Sequence, residues 1–426
     1  MKNIITYLEE RSFIEQKTSD NLKALAQKPL KVYIGFDPTS DSLHLGNLVG
    51  IMALKHFQRL GHQPYIIIGG ATARIGDPSG KSEERPLLKE EELKHNIQSI
   101  TTLFKTLFQD ADESTKPVIL NNEQWLASFS FIDFLRDVGK QFRLGPMLAK
   151  DSVKTRLHSD EGMSFTEFSY QVLQGFDFYH LFKEKQVILQ LGGGDQWGNI
   201  TAGMELIRKL TGKSAYGLTF PLLTRSDGKK FGKTEEGAIW LSKEKLSPYQ
   251  FYQYLVRIAD ADVISLLRML TFLEMSEIRQ IEKDMKKPDY EPNAAQKKLA
   301  SEVTRFVHGE EGLEIALKVT KGARPGAKTV LKGSVLEEIS KDMPNIEMGK
   351  EQVLGKKFTE VASKIGLVSS KSEALRLIKN GGAYVNNDKI EDPFLAFSKE
   401  HIIDKIYLLL GAGKKKKILI RLKTVE

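Results

Sequence analysis

The densest chemical signal in the 426-residue chain is one helical stretch, "FSYQVLQGFDF". Tyr170, Gln174 and Asp177 fall there at i, i+4 and i+7 and form a polar stripe,. Phe168, Val172 and Phe176 cover a different, apolar face. A hydroxyl, an amide and a carboxylate in that setting suit a small ligand carrying hydroxyl and ammonium groups. The same spacing also fits an exposed amphipathic face. Asp77, in "GGATARIGDPSGKS", is placed to receive a cation such as an ammonium group, or else forms a turn before Pro78,. The segment is a poor match to a phosphate-binding P-loop. Three residues separate Gly76 from Gly80-Lys81, and that loop needs four,.

A second group of residues is suited to anions. In "KVYIGFDPTSDSLHLGN" a strand-like run leads to His44, Gly46 and Asn47 at the expected start of a helix. That end carries unpaired N–H groups and partial positive charge, so an imidazole and an amide there add donors for phosphate oxygens. The alternative is a cap at Asp41 or Ser42, with His44 a surface residue. "LGGGDQWGN" lacks the dinucleotide spacing, but its glycines allow close backbone approach to a nucleotide and Asp195 suits a ribose hydroxyl,. "SDGKKFGKTEE" puts Lys230 and Lys233 in a Gly-containing loop, as a departing polyphosphate requires or as a plain basic surface loop,.

These residues need a scaffold that gathers them. "KVYIGF", "QPYIIIGG", "KPVILNN" and "QVILQLGGG" are short apolar runs ending in Gly or Asn. Helical patterns such as "LGNLVGIMALKHFQRL" and "GNITAGMELIRKL" alternate with them. The alternation predicts an α/β domain, a parallel sheet with helices on both faces, and ligands beyond the carboxyl ends of its strands. From Ser247 to Lys321 the pattern is helical only. A connector with "KGARPGAKT" follows, and a last module begins near Lys350. There, "SSKSEALRLIKNGG" has a capping-box form, "AYVNNDKI" a turn, and "IYLLLGAGKKKKILIRL" a hairpin pattern,.

Composition narrows the function classes. The chain has no cysteine, which excludes disulfides and Cys-ligated zinc,. The start "MKNIITYLEERSF" lacks the apolar run of a signal peptide, and no stretch approaches the roughly 20 apolar residues of a membrane span,. A cytoplasmic protein is expected. The net charge of +8 points to a polyanionic partner,. Residues 351–426 hold 15 Lys and Arg against 9 Asp and Glu, so most of the excess lies in the last module, among patterned hydrophobics.

Taken together the motifs resemble the class I aminoacyl-tRNA synthetases, specifically the bacterial-type tyrosyl-tRNA synthetases. "HLGN" (44–47) is similar to the HIGH signature and "KFGKT" (230–234) to the KMSKS signature; "GFDPTSDSLHLGN", "GDPSGK" and "GGGDQWGNI" extend the likeness. It implies a Rossmann-like doubly wound catalytic domain over 1–228 and a loop with the second signature over 229–246. It also implies an all-helical anticodon-binding domain over 247–321, a linker over 322–349, and a small α+β S-four-like RNA-binding domain over 350–426.

The resemblance also implies roles. Tyr33 and Asp177 would hydrogen-bond the phenol of tyrosine. Asp77, Tyr170 and Gln174 would hold its ammonium group, with Gln196 near its carboxylate. Gly35, Asp37, Gly46, Asn47 and Asp195 would line the ATP side, Asn47 and Asp195 nearest the ribose. Thr39, His44, Lys81, Arg85, Lys230 and Lys233 would act on the phosphates. Ile34 stands where relatives often carry a residue that hydrogen-bonds the ribose, and an isoleucine makes no such bond. ATP with Mg, tyrosine and tRNA(Tyr) are the implied substrates, the chain forming a homodimer and holding no structural metal. Two further readings are a tryptophan-specific synthetase or another HIGH-motif nucleotidylyl transferase, and an RNA-binding protein that lost catalysis. The Tyr33/Asp177 pair favours a phenol over an indole. His44, Lys230 and Lys233 favour a working enzyme.

Overall fold

The computed structural model describes residues 2–79, 85, 88–158, 162–226, 228, 231–234, 237–322, 333–340, 343–413 and 416–423. The four apolar runs are strands: β2 (Lys31–Phe36), β3 (Gln63–Ile68), β4 (Val118–Asn121) and β5 (Leu189–Gly193). Two more strands, β1 (Gln16–Lys17) and β6 (Tyr216–Phe220), complete a sheet of order β1-β6-β5-β2-β3-β4. Every pairing is parallel except β1 with β6. Chain order reverses between β2 and β5, so the crevice beyond their carboxyl ends is the expected ligand site. Strands buried on both faces are apolar throughout, hence the unbroken Pro-Tyr-Ile-Ile-Ile that follows Gln63 in β3,.

The helix Leu45–Arg59 connects β2 to β3, and Phe165–Lys185 leads into β5. The latter crosses the helix Trp197–Thr211 where two glycines meet. A Cβ on Gly203 would lie 3.4 Å from the Gly175 Cα and 3.0 Å from Phe178. Near the N-terminus the helix Ile4–Glu10 ends at Arg11, which is fully buried. Its guanidinium donates to the carbonyls of Arg268 (2.7 Å), Leu273 (2.7 Å), Leu267 (3.4 Å) and Thr271. Those oxygens belong to the unpaired C-terminal end of the helix Asp260–Leu270 and the turn after it,.

The chain divides into two compact units, residues 1–246 with 255–303, and 247–254 with 304–426. The helical stretch expected over 247–321 therefore contributes to both. The first unit also holds a short antiparallel pair, β7 (Lys233–Thr234) and β8 (Gly237–Ala238). In the second unit β9 (Asn345–Met348), β10 (Ala383–Val385), β11 (Asp388–Lys389), β12 (Tyr407–Ala412) and β13 (Lys416–Leu422) form a sheet of order β11-β10-β12-β13-β9. The stretch 322–349, expected as a linker, supplies the helix Gly333–Ser340 and the strand β9, which pairs parallel with β13. "NIEM" is mostly exposed and has no apolar run to mark it. Asn386 and Asn387, both at positive φ, make the predicted turn between β10 and β11. Ser370 caps the helix Lys371–Lys379 as expected, but Glu373 reaches back to the Ser369 N–H rather than that of Ser370.

Candidate active site

A cavity of about 500 Å³ opens beyond the carboxyl ends of β2, β3, β5 and β6. Tyr33, Gly35, Asp37 and Thr39 reach it from β2 and the loop after it, and His44, Gly46 and Asn47 from the helix start. Asp77 and Arg85 come from the segment after β3, Tyr170, Gln174 and Asp177 from the helix Phe165–Lys185, and Asp195 and Gln196 from the turn after β5. All fourteen of these expected site residues line one cavity. Lys81 and Lys230 lie outside the described residues, as does the side chain of Lys233.

At one end of the cavity Tyr33 is almost fully buried, and among the described residues its hydroxyl has no hydrogen-bond partner. Burial and the neighbouring Asp177 push its pKa well up, so the phenol is neutral. Asp177 accepts from Trp125 Nε1 (2.7 Å) and Asn122 Nδ2 (3.0 Å). Burial nonetheless raises its pKa to about 7. The Asn122 amide also donates to Thr72 Oγ1 (3.0 Å), and that hydroxyl donates to Asp37 (2.7 Å). Asp37 accepts from Tyr170 as well (2.8 Å), and its pKa is raised to about 6, mainly by burial. Asp37, expected on the ATP side, is thus bonded to the tyrosine hydroxyl expected near the ammonium. Gln196 donates to Asp77 (2.8 Å) and Asn199 to Gln174 (3.0 Å), which ties the remaining acceptors into the same wall.

At the other end His44 is itself the N-cap of its helix, in place of Asp41 or Ser42. Its Nδ1 accepts from the Gly46 N–H (3.0 Å), and the Asn47 side chain accepts from the His44 N–H (3.1 Å). In the neutral ring this leaves the proton on Nε2, a donor, as an anion site needs. A side chain at Gly46 would collide with the His44 ring at 2.8 Å, and one at Gly35 would meet nothing within 4 Å. Ile34 lines the cavity without a polar atom.

The model for class I tRNA synthetases (W and Y) matches residues 25–322, and the tyrosine–tRNA ligase SYY-like C-terminal domain matches 335–420. A tyrosine–tRNA ligase of Protochlamydia amoebophila is 58% identical over 422 residues, 99% of this chain and 99% of the relative. The chain belongs to the tyrosyl-tRNA synthetase family. The chloroplastic/mitochondrial tyrosine–tRNA ligase of Arabidopsis thaliana is 51% identical, over 99% of this chain and 84% of that protein. The crystal structure of a C-terminally truncated Aspergillus nidulans mitochondrial tyrosyl-tRNA synthetase superposes with a TM-score of 0.66 at 31% identity. It covers 74% of this chain and 92% of that one.

The cavity also holds polar residues that neither spacing nor resemblance singled out: Thr72, Asn122 and Gln190. Gln190 is buried in the middle of β5, and its Oε1 has no partner among the described residues. An amide in the apolar run "QVILQLGGG" was its visible signal. Asn122, next to the end of β4, carries no spacing signal of its own. Its tie to Asp177 is long-range and leaves no local trace.

Proposed function

We propose that the cavity is where tyrosine is activated. A member of this family is an aminoacyl-tRNA ligase, joining tyrosine to tRNA at the expense of ATP. The carrying observation is the buried Tyr33 hydroxyl beside the Asp177 carboxylate. A phenol both donates and accepts, so it serves Asp177 and Tyr33 together; an indole N–H only donates and leaves Tyr33 unanswered. Asp77, Tyr170, Gln174 and Asp37 surround the ammonium, and Gln196 lies toward the carboxylate.

The carboxylate of tyrosine attacks the α-phosphorus of ATP, whose magnesium enters with it as part of the substrate. The bond to the β-phosphate oxygen breaks, giving tyrosyl-adenylate and pyrophosphate. The terminal ribose hydroxyl of tRNA(Tyr) then attacks the adenylate carbonyl and AMP leaves. The first nucleophile is already an anion, so positioning and charge stabilisation carry that step. Thr39, His44 and Arg85 supply donors to the phosphates from the described residues, joined by Lys81, Lys230 and Lys233. Asn47 and Asp195 serve the ribose.

The expected setting is a homodimer in the cytoplasm. Phe131, Ile132, Leu144, Leu148, Leu157 and Phe165 are all exposed within one stretch of the first unit, which supports a self-association surface,. Among the described residues no helix is long and apolar enough to cross a membrane. ATP–pyrophosphate exchange with each of the twenty amino acids tests the assignment. Exchange with tyrosine alone is expected; exchange with tryptophan, or with none, overturns it.

A further inference from the structure

The segment that leaves "KFGKT" runs back along the start of the His44 helix. The Ile239 N–H donates to the Gly232 carbonyl (2.9 Å), and the Ile239 carbonyl accepts from the Leu45 N–H (2.8 Å). The Leu241 N–H donates to Leu43 (2.9 Å), so Trp240 stands opposite His44 in an antiparallel bridge. Ser242 continues the contact, its N–H donating to Ser42 Oγ (3.1 Å). A turn at Ser242 then returns Lys245 over the indole. Its Nζ lies 4.7 Å from the Trp240 ring centroid and 2.5 Å from Asp41. The Trp240 ring is 6.3 Å from the His44 ring, and both line the cavity, whereas Lys245 does not.

We propose that Lys245, held between the Asp41 carboxylate and the Trp240 ring, is a positioning residue for adenylate formation. It braces Trp240 as the wall beside His44 and ties the exit of "KFGKT" to the helix start. This rests on the reading that His44 faces the phosphates. Backbone bridging fixes where Trp240 begins but not its side-chain torsions. A cation on one ring face, itself anchored by a carboxylate, does fix them. The pairing is felt at Asp41. Partial burial pushes its pKa up, but the hydrogen bonds from Lys245 and Ser40 leave it below the usual carboxylate range. With its charge matched and its ammonium outside the cavity, Lys245 acts through Trp240 and His44 rather than on ATP.

The test compares full-length Lys245→Met, Lys245→Arg, Asp41→Asn and the double variant Asp41→Asn/Lys245→Met, with His44→Ala as the benchmark. Exchange is measured with varied ATP at saturating tyrosine, and tyrosine affinity by equilibrium dialysis. Lys245→Met is expected to lower kcat/KM for ATP roughly tenfold with tyrosine affinity unchanged. Lys245→Arg keeps a cation that stacks on indole and restores activity. The double variant is expected to be no worse than Lys245→Met alone, because both changes break one device. Additive losses, or a parallel fall in tyrosine affinity, overturn the proposal. So does full activity of Lys245→Met while His44→Ala is impaired. Full activity of His44→Ala removes the phosphate-end reading itself, and the proposal with it.

Discussion

In the proposed site, Tyr33 and Asp177 would set a discrimination that a single oxygen decides. With phenylalanine bound, the Tyr33 hydroxyl and the Asp177 carboxylate stay desolvated and lose the phenol between them. Tyr33→Phe removes one of those two penalties. It is expected to shrink the preference for tyrosine over phenylalanine by about 1–3 kcal/mol, read as the ratio of kcat/KM values in pyrophosphate exchange. The acidic pair also predicts a pH dependence. Asp177 and Asp37 are raised by burial to about 7 and about 6, and in the proposed site their ionised forms would accept the phenol and attract the ammonium. Tyrosine affinity therefore rises with pH through this range. Asp177→Asn is expected to weaken binding and to abolish the upper inflection, measured by dialysis between acidic and mildly alkaline pH. Stability without tyrosine runs the other way. Between the ordinary value of 3.8 and the raised values, the folded chain keeps protons that the unfolded chain has released, so stability falls as pH rises across that window,. At this scale spacing marked Tyr170, Gln174, Asp177, His44, Asn47, Asp77 and Asp195 as candidates, whereas Tyr33, Asp37, Thr39, Arg85 and Gln196 came only from the family resemblance. The fold brings both groups to one cavity. Asn122 and Trp125 were marked by neither. Their bonds to Asp177 span 55 and 52 residues, which no local pattern encodes.

The helix Phe165–Lys185 can present its polar stripe only because it lies close against Trp197–Thr211. Gly175 and Gly203 allow that approach. A valine at Gly203 pushes into Phe178 and the opposing backbone, a strain of about 1–3 kcal/mol. Gly203→Val is expected to lower the melting temperature by several degrees and to raise KM for tyrosine more than for ATP. Calorimetry and exchange kinetics read the two effects. The strands β2, β3 and β5 were visible as apolar runs because both of their faces are covered. β9 and β1 were not: an edge strand of four residues and one of two show no periodicity from which to infer pairing. His44 shows the same limit from another side. Its spacing from Asn47 marked a helix start, but an imidazole as the cap itself is unusual, since Ser, Thr, Asp and Asn are the common choices.

The second unit has apolar surface on both faces of its sheet. Phe358, Leu408 and Ile420 pack on one side, and Val319, Leu336 and Leu419 form a separate cluster on the other. Ending the chain at Gly322 leaves Ile315 and Val319 without that sheet. The truncated protein is expected to retain pyrophosphate exchange, lose tRNA charging and bind a hydrophobic dye; loss of exchange would show that the first unit depends on the second. The proposed self-association surface has its own test: if it forms the homodimer, Phe131→Glu with Phe165→Glu is expected to shift sedimentation from dimer to monomer. Arg11 has a consequence for how the chain is made. Its carbonyl partners lie 256 to 262 residues downstream. At roughly 5–20 residues per second, a ribosome needs on the order of 10–50 s to deliver them. Until then, burying the guanidinium would leave a charge with too few acceptors. Docking of the Arg11 end of the helix Ile4–Glu10 therefore waits until Thr271 and Leu273 have been made.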